Sequence, residues 1–270
     1  MSKSLKEAAA TPEANPWYRA VYLGDEPARP DVLRRRLAAK TRHNTVTIAL
    51  HLFVLWLLSF IWIAAAVAAV DLYYLLGTPA LTGAVLVVLV LTTGVLVLVE
   101  RASTAFRRLQ PQFCSIYQPY FWSHERFWKL TTTSFFDIYN GTPLKGTIWR
   151  LLGVRIGRRV FDEGCSIPEK SLVTVGDDCT LNAGSALWGH SLEDGTFKSD
   201  RIRIGRGCTL GVAAFVHYGV IMGDGSVLAV DAFLMKGEEV APGTRWRGNP
   251  ASETRPAIPS SASAGDGDAA

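Results

Sequence analysis

Apolar and polar positions follow two rhythms along this chain, and each predicts a different element. The first is a near-absence of polar positions. Residues 48–70 read IALHLFVLWLLSFIWIAAAVAAV, and residues 81–99 read LTGAVLVVLVLTTGVLVLV. As helices these runs would be about 34 Å and about 28 Å long, against a hydrocarbon core of about 30 Å. The link DLYYLLGTPA carries Gly77 and Pro79, which suit a turn. Asp71 falls at the end of the first run, where insertion is far less costly than the roughly 2.5–3.5 kcal/mol at a span centre. Residues 31–110 are therefore expected to form a transmembrane hairpin with spans at 48–70 and 81–99.

The second rhythm is a strict six. From Ile204 every sixth residue is apolar: Leu210, Val216, Met222, Leu228, Leu234, Val240 and Trp246 follow. Four places after each comes a mostly small residue, among them Cys208, Ala214, Ser226 and Ala232, with Glu238 as the exception. The same phase begins upstream at Val175, Leu181 and Leu187, and more weakly at Ile156. An amphipathic helix needs a period of 3.6 and a half-buried strand needs one of 2. A period of six fits neither; it fits short strands joined by tight corners and stacked coil on coil, with the leading aliphatic pointing inward. The beat is broken by GHSLEDGTFKSD (189–200), an inserted polar loop with Gly195 at its bend. Such insertions at solenoid corners often form the binding face.

Between the two rhythms lies an aromatic connector, residues 111–152, with Trp122, Trp128 and Trp149 among its rings. It suits either a bilayer interface or the cap of the repeat domain. The ends, residues 1–30 and 253–270, are rich in Ala, Pro, Ser and Gly and read as disordered tails; the first has no apolar core of a signal peptide.

Charge refines the hairpin. Arg34, Arg35, Arg36, Lys40 and Arg42 precede the first span, Arg101, Arg107 and Arg108 follow the second, and the link has neither Lys nor Arg. The positive-inside rule then puts both ends, and the repeat domain, on the cytoplasmic side of the cell's inner membrane. The net charge of +4 comes without a basic stripe interleaved with aromatics, so no nucleic-acid partner is expected. The four cysteines form no CxxC pair, and Cys179 and Cys208 fall on small-residue positions of the repeat. They read as reduced core residues, with no metal role. DEGC (162–165) and GDDC (176–179) read as turn chemistry.

The hexapeptide beat and the motif RGNPA (247–251) resemble hexapeptide-repeat acyltransferases. Longer runs, VFDEGCSIPEKSLVTVGDDCTLNAGS, FVHYGVIMGDGSVL and FLMKGEEVAPGTRW, resemble the membrane-bound C-terminal domain of ε-poly-lysine synthetase-type nonribosomal peptide synthetases. The resemblance covers roughly residues 115–252. It implies a mainly β fold, a left-handed parallel β-helix over 153–252, behind a transmembrane α-helical hairpin. Where such synthetases carry three β-helices in tandem with adenylation and carrier parts, this chain shows one β-helix and neither part. The resemblance thus implies a homotrimer in the bilayer, with an adenylation and carrier protein supplied in trans.

It also implies a catalytic histidine. His190 is the first candidate for the general base and His217 the second. A lysine-like acceptor amine, with a pKa near 10.4, needs roughly 4.6 kcal/mol to be neutral at pH 7, so a positioned imidazole is useful. Glu193 and Asp194 are candidates to hold the incoming ammonium or orient the imidazole. Lys198 is a candidate for a phosphate of the donor's pantetheine arm, with Lys236, Arg245 and Arg247 as alternatives. Backbone N–H groups at the glycine corners would stabilise the oxyanion. No bound cofactor is expected; the donor is an acyl thioester on a phosphopantetheinyl carrier protein, or acyl-CoA. An amide-forming aminoacyl transferase leads, ahead of an acyl-CoA-dependent O- or N-acetyltransferase and a non-catalytic trimeric scaffold. A carbonic-anhydrase-like metal site would need three converging histidines, and the repeat region offers only His190 and His217.

Overall fold

With no polar face, the two apolar runs satisfy their backbone groups internally, as helices. In a computed structural model, which describes residues 30–116, 118–130, 133–193 and 195–254, they form α1 (Pro30–Leu76) and α2 (Thr78–Ser103). Both are longer than the expected spans. The link is correspondingly shorter: its first six residues, Asp71 included, continue α1, and Gly77 alone separates the helices, at φ 66°. Each helix is long and apolar enough to cross a membrane, and Leu52, Phe53, Trp56, Phe60, Ile63 and Val67 are exposed. The two helices are tied by Trp62 Nε1, which donates to Thr92 Oγ1 at 3.0 Å.

The connector folds as a strand (Gln112–Ser115), helix α3 (Pro119–Leu130), a 3-10 segment (Thr133–Tyr139) and helix α4 (Pro143–Leu152). Pro143 opens α4, and Gly153 ends it in a left-handed conformation at φ 108°. Ile148, Trp149 and Leu152 of α4 close the end of the repeat domain and share one core with Phe136, Tyr139 and Leu96 of α2. Thr93 of α2 also bonds the Tyr139 hydroxyl at 2.7 Å. The connector is therefore a cap on the repeat domain that also joins it to the helical hairpin.

The hexapeptides build three parallel sheets. In one, Ile156, Val175, Ile204, Met222 and Val240 stack in register. In the second, Leu181, Leu210, Leu228 and Trp246 stack, and in the third Leu187, Val216 and Leu234. Leu210 pairs with Leu228, so three hexapeptides make one coil of a three-faced parallel solenoid. The lead residues from Leu181 to Val240 are all buried, and Trp246, on the last coil, is half-buried. Cys208, Ala214, Val220, Ser226 and Ala232 line the interior beside them. Glu238, the exception, accepts the Met235 N–H at 2.8 Å and so caps its own turn. At Gly211 an added Cβ would lie 2.5 Å from the Val230 nitrogen of the next coil, so the stacking distance requires glycine there.

The acidic turns behave as expected. Asp162 accepts the N–H groups of Gly164 and Cys165, each at 2.8 Å, and Asp177 accepts that of Arg158 at 2.7 Å. All four cysteines are buried and free, and burial raises the Cys114 and Cys165 thiols, Cys165 to about 12. At the far end Ser252–Glu253 pairs with the last coil, so the packed chain runs slightly past the expected boundary. Otherwise the two expected tails lie outside the described residues.

The interruption at 189–200 is no loose loop. His190–Glu193 and Thr196–Ser199 form an antiparallel hairpin, and Gln112–Ser115 adds a third strand. The reason is Phe197, fully buried among Phe121, Trp122 and Cys114 in a second core. Through it the hairpin and α3 hold each other.

Candidate active site

Two elements converge on a carboxylate that enters from a third. Glu169 sits just before the short 3-10 turn Lys170–Leu172 and is fully buried. His124 and Trp128, four residues apart on α3, share the helix face that looks towards it. His190 opens the first strand of the hairpin. One oxygen, Glu169 Oε1, lies 2.8 Å from His190 Nδ1 and 3.4 Å from His124 Nε2, and accepts the Trp128 indole N–H at 2.9 Å. The His190 contact is an ion-pair distance rather than an aligned hydrogen bond, while Glu169 Oε2 has no hydrogen-bond partner among the described residues. Room for the carboxylate comes from Gly189: a Cβ there would lie 3.0 Å from Glu169 Cβ and 3.2 Å from Oε2.

The electrostatics favour an ionised Glu169. Burial pushes its pKa up, but the close contacts and charges of His124 and His190 outweigh burial and bring it down to about 2. His190 is held by rings. It stacks on Trp188 at 5.4 Å and 17°, and Trp128 lies against it at 4.4 Å. With Nδ1 turned to a carboxylate, the tautomer consistent with the contact carries its proton there and leaves Nε2 as the basic nitrogen.

The other expected residues gather nearby with different partners. His217 is half-buried; its Nδ1 accepts the Tyr218 N–H at 3.1 Å, and a backbone hydrogen bond to Trp188 engages the ring as well. Burial, then the charge of Lys236, lowers its pKa. Both engagements make it a poorer base candidate than His190. From sequence Glu193 is a candidate either to hold the incoming ammonium or to orient the imidazole; the carboxylate beside His190 Nδ1 is that of Glu169. Glu193 instead pairs with Lys236 and lies 3.9 Å from Lys198. Lys198 also sits over the Phe113 ring and Lys236 over Tyr218. The two lysines are thus tied at the lip by one carboxylate. Asp194 lies outside the described residues. Among the described residues no group of three or more His, Cys, Asp or Glu side chains could hold a metal ion, although His124, His190 and Glu169 meet.

Sequence reasoning missed Glu169, His124 and Trp128. The readable signal was the His-Glu-Arg-Phe-Trp run of α3, whose His124 and Trp128 are spaced to share a face. Nothing local marks Glu169 as their target, because the contact spans 45 positions.

The chain is similar in part to several known proteins. Residues 201–230 match the family model described as the hexapeptide repeat of succinyl-transferase. A delta-poly-L-ornithine synthetase of Acinetobacter baumannii is 28% identical over 148 residues, 53% of this chain and 11% of that protein. The chain therefore spans only about a tenth of the curated relative it matches. Among solved structures, a hexapeptide-repeat acetyltransferase of Vibrio cholerae, complexed with acetyl coenzyme A, is 22% identical over 38% of this chain and 60% of that one, with a TM-score of 0.35. A maltose O-acetyltransferase of Clostridium difficile is 14% identical over 54% of this chain and 92% of its own, with a TM-score of 0.37. Within the solenoid, the coils over residues 201–230 thus carry the repeat that this family model describes.

Proposed function

We propose that the chain is a membrane-anchored acyltransferase that forms an amide bond between an acyl thioester and an amine, with His190 as the general base. The observation that carries this reading is the buried contact between His190 Nδ1 and Glu169 Oε1. A carboxylate at one ring nitrogen fixes the tautomer and stabilises the imidazolium formed when the other nitrogen takes a proton. The acceptor amine attacks the thioester carbonyl, a C–N bond forms, and Nε2 takes the amine proton. The tetrahedral intermediate then expels the thiolate, breaking the C–S bond, and the imidazolium returns the proton to sulfur. Glu169 is a positioning residue in this scheme. Lys198 and Lys236 share the single Glu193 carboxylate, which leaves a net positive charge suited to a phosphate of the donor's pantetheine arm.

The relative's name, a poly-ornithine synthetase, supports an aminoacyl group as the donor; its delivery on a carrier protein supplied in trans is part of the proposal. The repeat's family description supports acyl transfer in general, with acyl-CoA as the alternative donor. The proposed assembly is a homotrimer of left-handed β-helices at the inner membrane, both helix ends and the active site facing the cytoplasm. The apolar α1 and α2 surfaces support the anchoring, and the exposed Trp188, Val212 and Val230 support contact between copies.

The test is a reaction of detergent-purified protein with an aminoacyl carrier-protein thioester and an amine, read by mass spectrometry, with acetyl-CoA in a parallel arm. A new amide from the carrier thioester, lost in His190→Ala and retained in His217→Ala, is the expected result. Turnover with acetyl-CoA alone would move the protein to ordinary acetyl transfer. Absence of product from both donors in an intact trimer would leave a scaffold.

A further inference from the structure

The foot of α2 gathers four guanidinium groups that no described carboxylate neutralises. Arg101 lies in the last turn of α2. Ala105 and Phe106 then take left-handed conformations, at φ 52° and 58°, which non-glycine residues adopt rarely and at a cost. The Phe106 N–H donates back to the Arg101 carbonyl at 2.7 Å and the Arg107 N–H to the Thr104 carbonyl at 3.0 Å. The chain thus turns sharply, keeping Arg107 and Arg108 beside Arg101. Arg155, from the first solenoid strand, completes the cluster: its charge and that of Arg101 both act on Arg108, whose pKa is lowered first by desolvation and then by these two.

The surroundings form a receptacle. Arg101, Thr104, Arg107, Leu109 and Ser171 line a cleft between the end of α2 and the solenoid, with the buried Glu100–Lys170 ion pair, 2.7 Å long, beside them. Lys170 offsets the negative charge of Glu100, so the acid does not balance the arginines. The guanidinium of Arg101 lies over Gly153, where a Cβ would sit 2.7 Å from its Nη1. Beside the arginines, Phe106 and Leu98 are exposed large apolar side chains.

We propose that this arginine cluster binds the phosphate of an anionic phospholipid headgroup. Like charges held together by a strained turn call for a counter-anion, and guanidinium forks match phosphate oxygens bidentately. Exposed Phe106 and Leu98 at the same place favour a lipid over free phosphate, since an acyl chain would cover them. The site rests on the membrane reading of α1 and α2 in the proposed function. It places a headgroup beside Lys170, the chain neighbour of Glu169.

The test uses the full chain in detergent, stripped of lipid and titrated separately with phosphatidylglycerol, phosphatidylcholine and inorganic phosphate. Binding is read by native mass spectrometry and thermal unfolding. Phosphatidylglycerol should bind and raise the Tm, and phosphatidylcholine should do neither. The triple variant Arg101→Gln, Arg107→Gln, Arg108→Gln should bind on the order of a hundredfold more weakly, from about one kcal/mol per basic residue. Arg107→Gln alone, at an exposed position, should bind about fivefold more weakly. Arg206→Gln, exposed at a solenoid corner where it pairs with Asp224, should bind as the parent does. Equal phosphatidylglycerol affinity in parent and arginine variants would overturn the site. An equal Tm gain from inorganic phosphate would assign the cluster to free phosphate and overturn the lipid. Release of the parent protein from cell membranes by alkaline carbonate would overturn the membrane reading itself, a failure separate from loss of lipid selectivity in a protein that stays embedded.

Discussion

Glu169 Oε1 lies 2.8 Å from His190 Nδ1, inside a pocket where the carboxylate is fully buried and the imidazole is clamped against Trp188 and Trp128. The pair joins the stretch before a solenoid turn to a hairpin inserted between coils, and α3 completes it with His124.

Glu169→Gln should lower amide formation at least about a hundredfold, the usual scale for a misaligned or unsupported general base, with KM changing much less. Glutamine keeps the volume and can still accept from the Trp128 indole, so the fold should survive. Glu169→Asp should recover part of the rate. Unchanged turnover in Glu169→Gln would remove the dyad from the mechanism.

Acid stability should carry the same signature. The native pKa of Glu169, about 2, lies below the ordinary 4.5, so the folded state prefers the anion. That contribution is complete above pH 4.5 and is lost as the pH falls from there towards 2. The shift corresponds to about 3 kcal/mol. The groups facing the carboxylate are His124 and His190, both of which favour the anion more when protonated, and the neutral Trp128. Urea midpoints measured from pH 6 downward should fall more steeply for the parent than for Glu169→Gln in this window. Parallel curves would show that Glu169 is not held as an anion.

The solenoid was legible and the site only half so, for a physical reason. Interior positions of stacked coils repeat their environment, so Leu210, Leu228 and Leu234, all fully buried, announce themselves by spacing. The interruption was legible as a position but not as a structure. Its ordering residue, Phe197, reads as one apolar side chain in a polar stretch until Phe121 and Trp122 arrive from the connector. His190 could be singled out because it stands in that interruption. Glu169 could not, since its partners come from α3 and the hairpin, and neither is in register with the repeat.

Gly189 offers a substitution that perturbs the site without touching a functional group. In Gly189→Ala the new Cβ would stand 3.0 Å from Glu169 Cβ and 3.2 Å from Oε2, tighter than ordinary packing. The carboxylate must give way by a few tenths of an ångström, in a pocket where its oxygen serves three partners. The expected cost is about 1–3 kcal/mol of stability from overpacking, with a loss of activity larger than that cost explains in a protein still folded at the assay temperature. Full activity at reduced Tm would mean that the geometry at Glu169 is tolerant.

The ion pair between Glu100 of α2 and Lys170 of the solenoid gives the last prediction. Both side chains are buried and their charged atoms are 2.7 Å apart. Removing one partner strands a buried charge, a change that typically costs about 3–5 kcal/mol, whereas replacing both with apolar groups of similar volume is often neutral. Glu100→Leu and Lys170→Met should each lower thermal stability sharply, and the double variant should recover most of the loss. Activity should separate from stability here. Lys170 adjoins Glu169, and the pair fixes that turn against the end of α2. The double variant, though stable, holds the turn without a directional contact and should show reduced kcat with little change in KM. Additive losses of stability in the double variant would show that the two charges do not depend on each other.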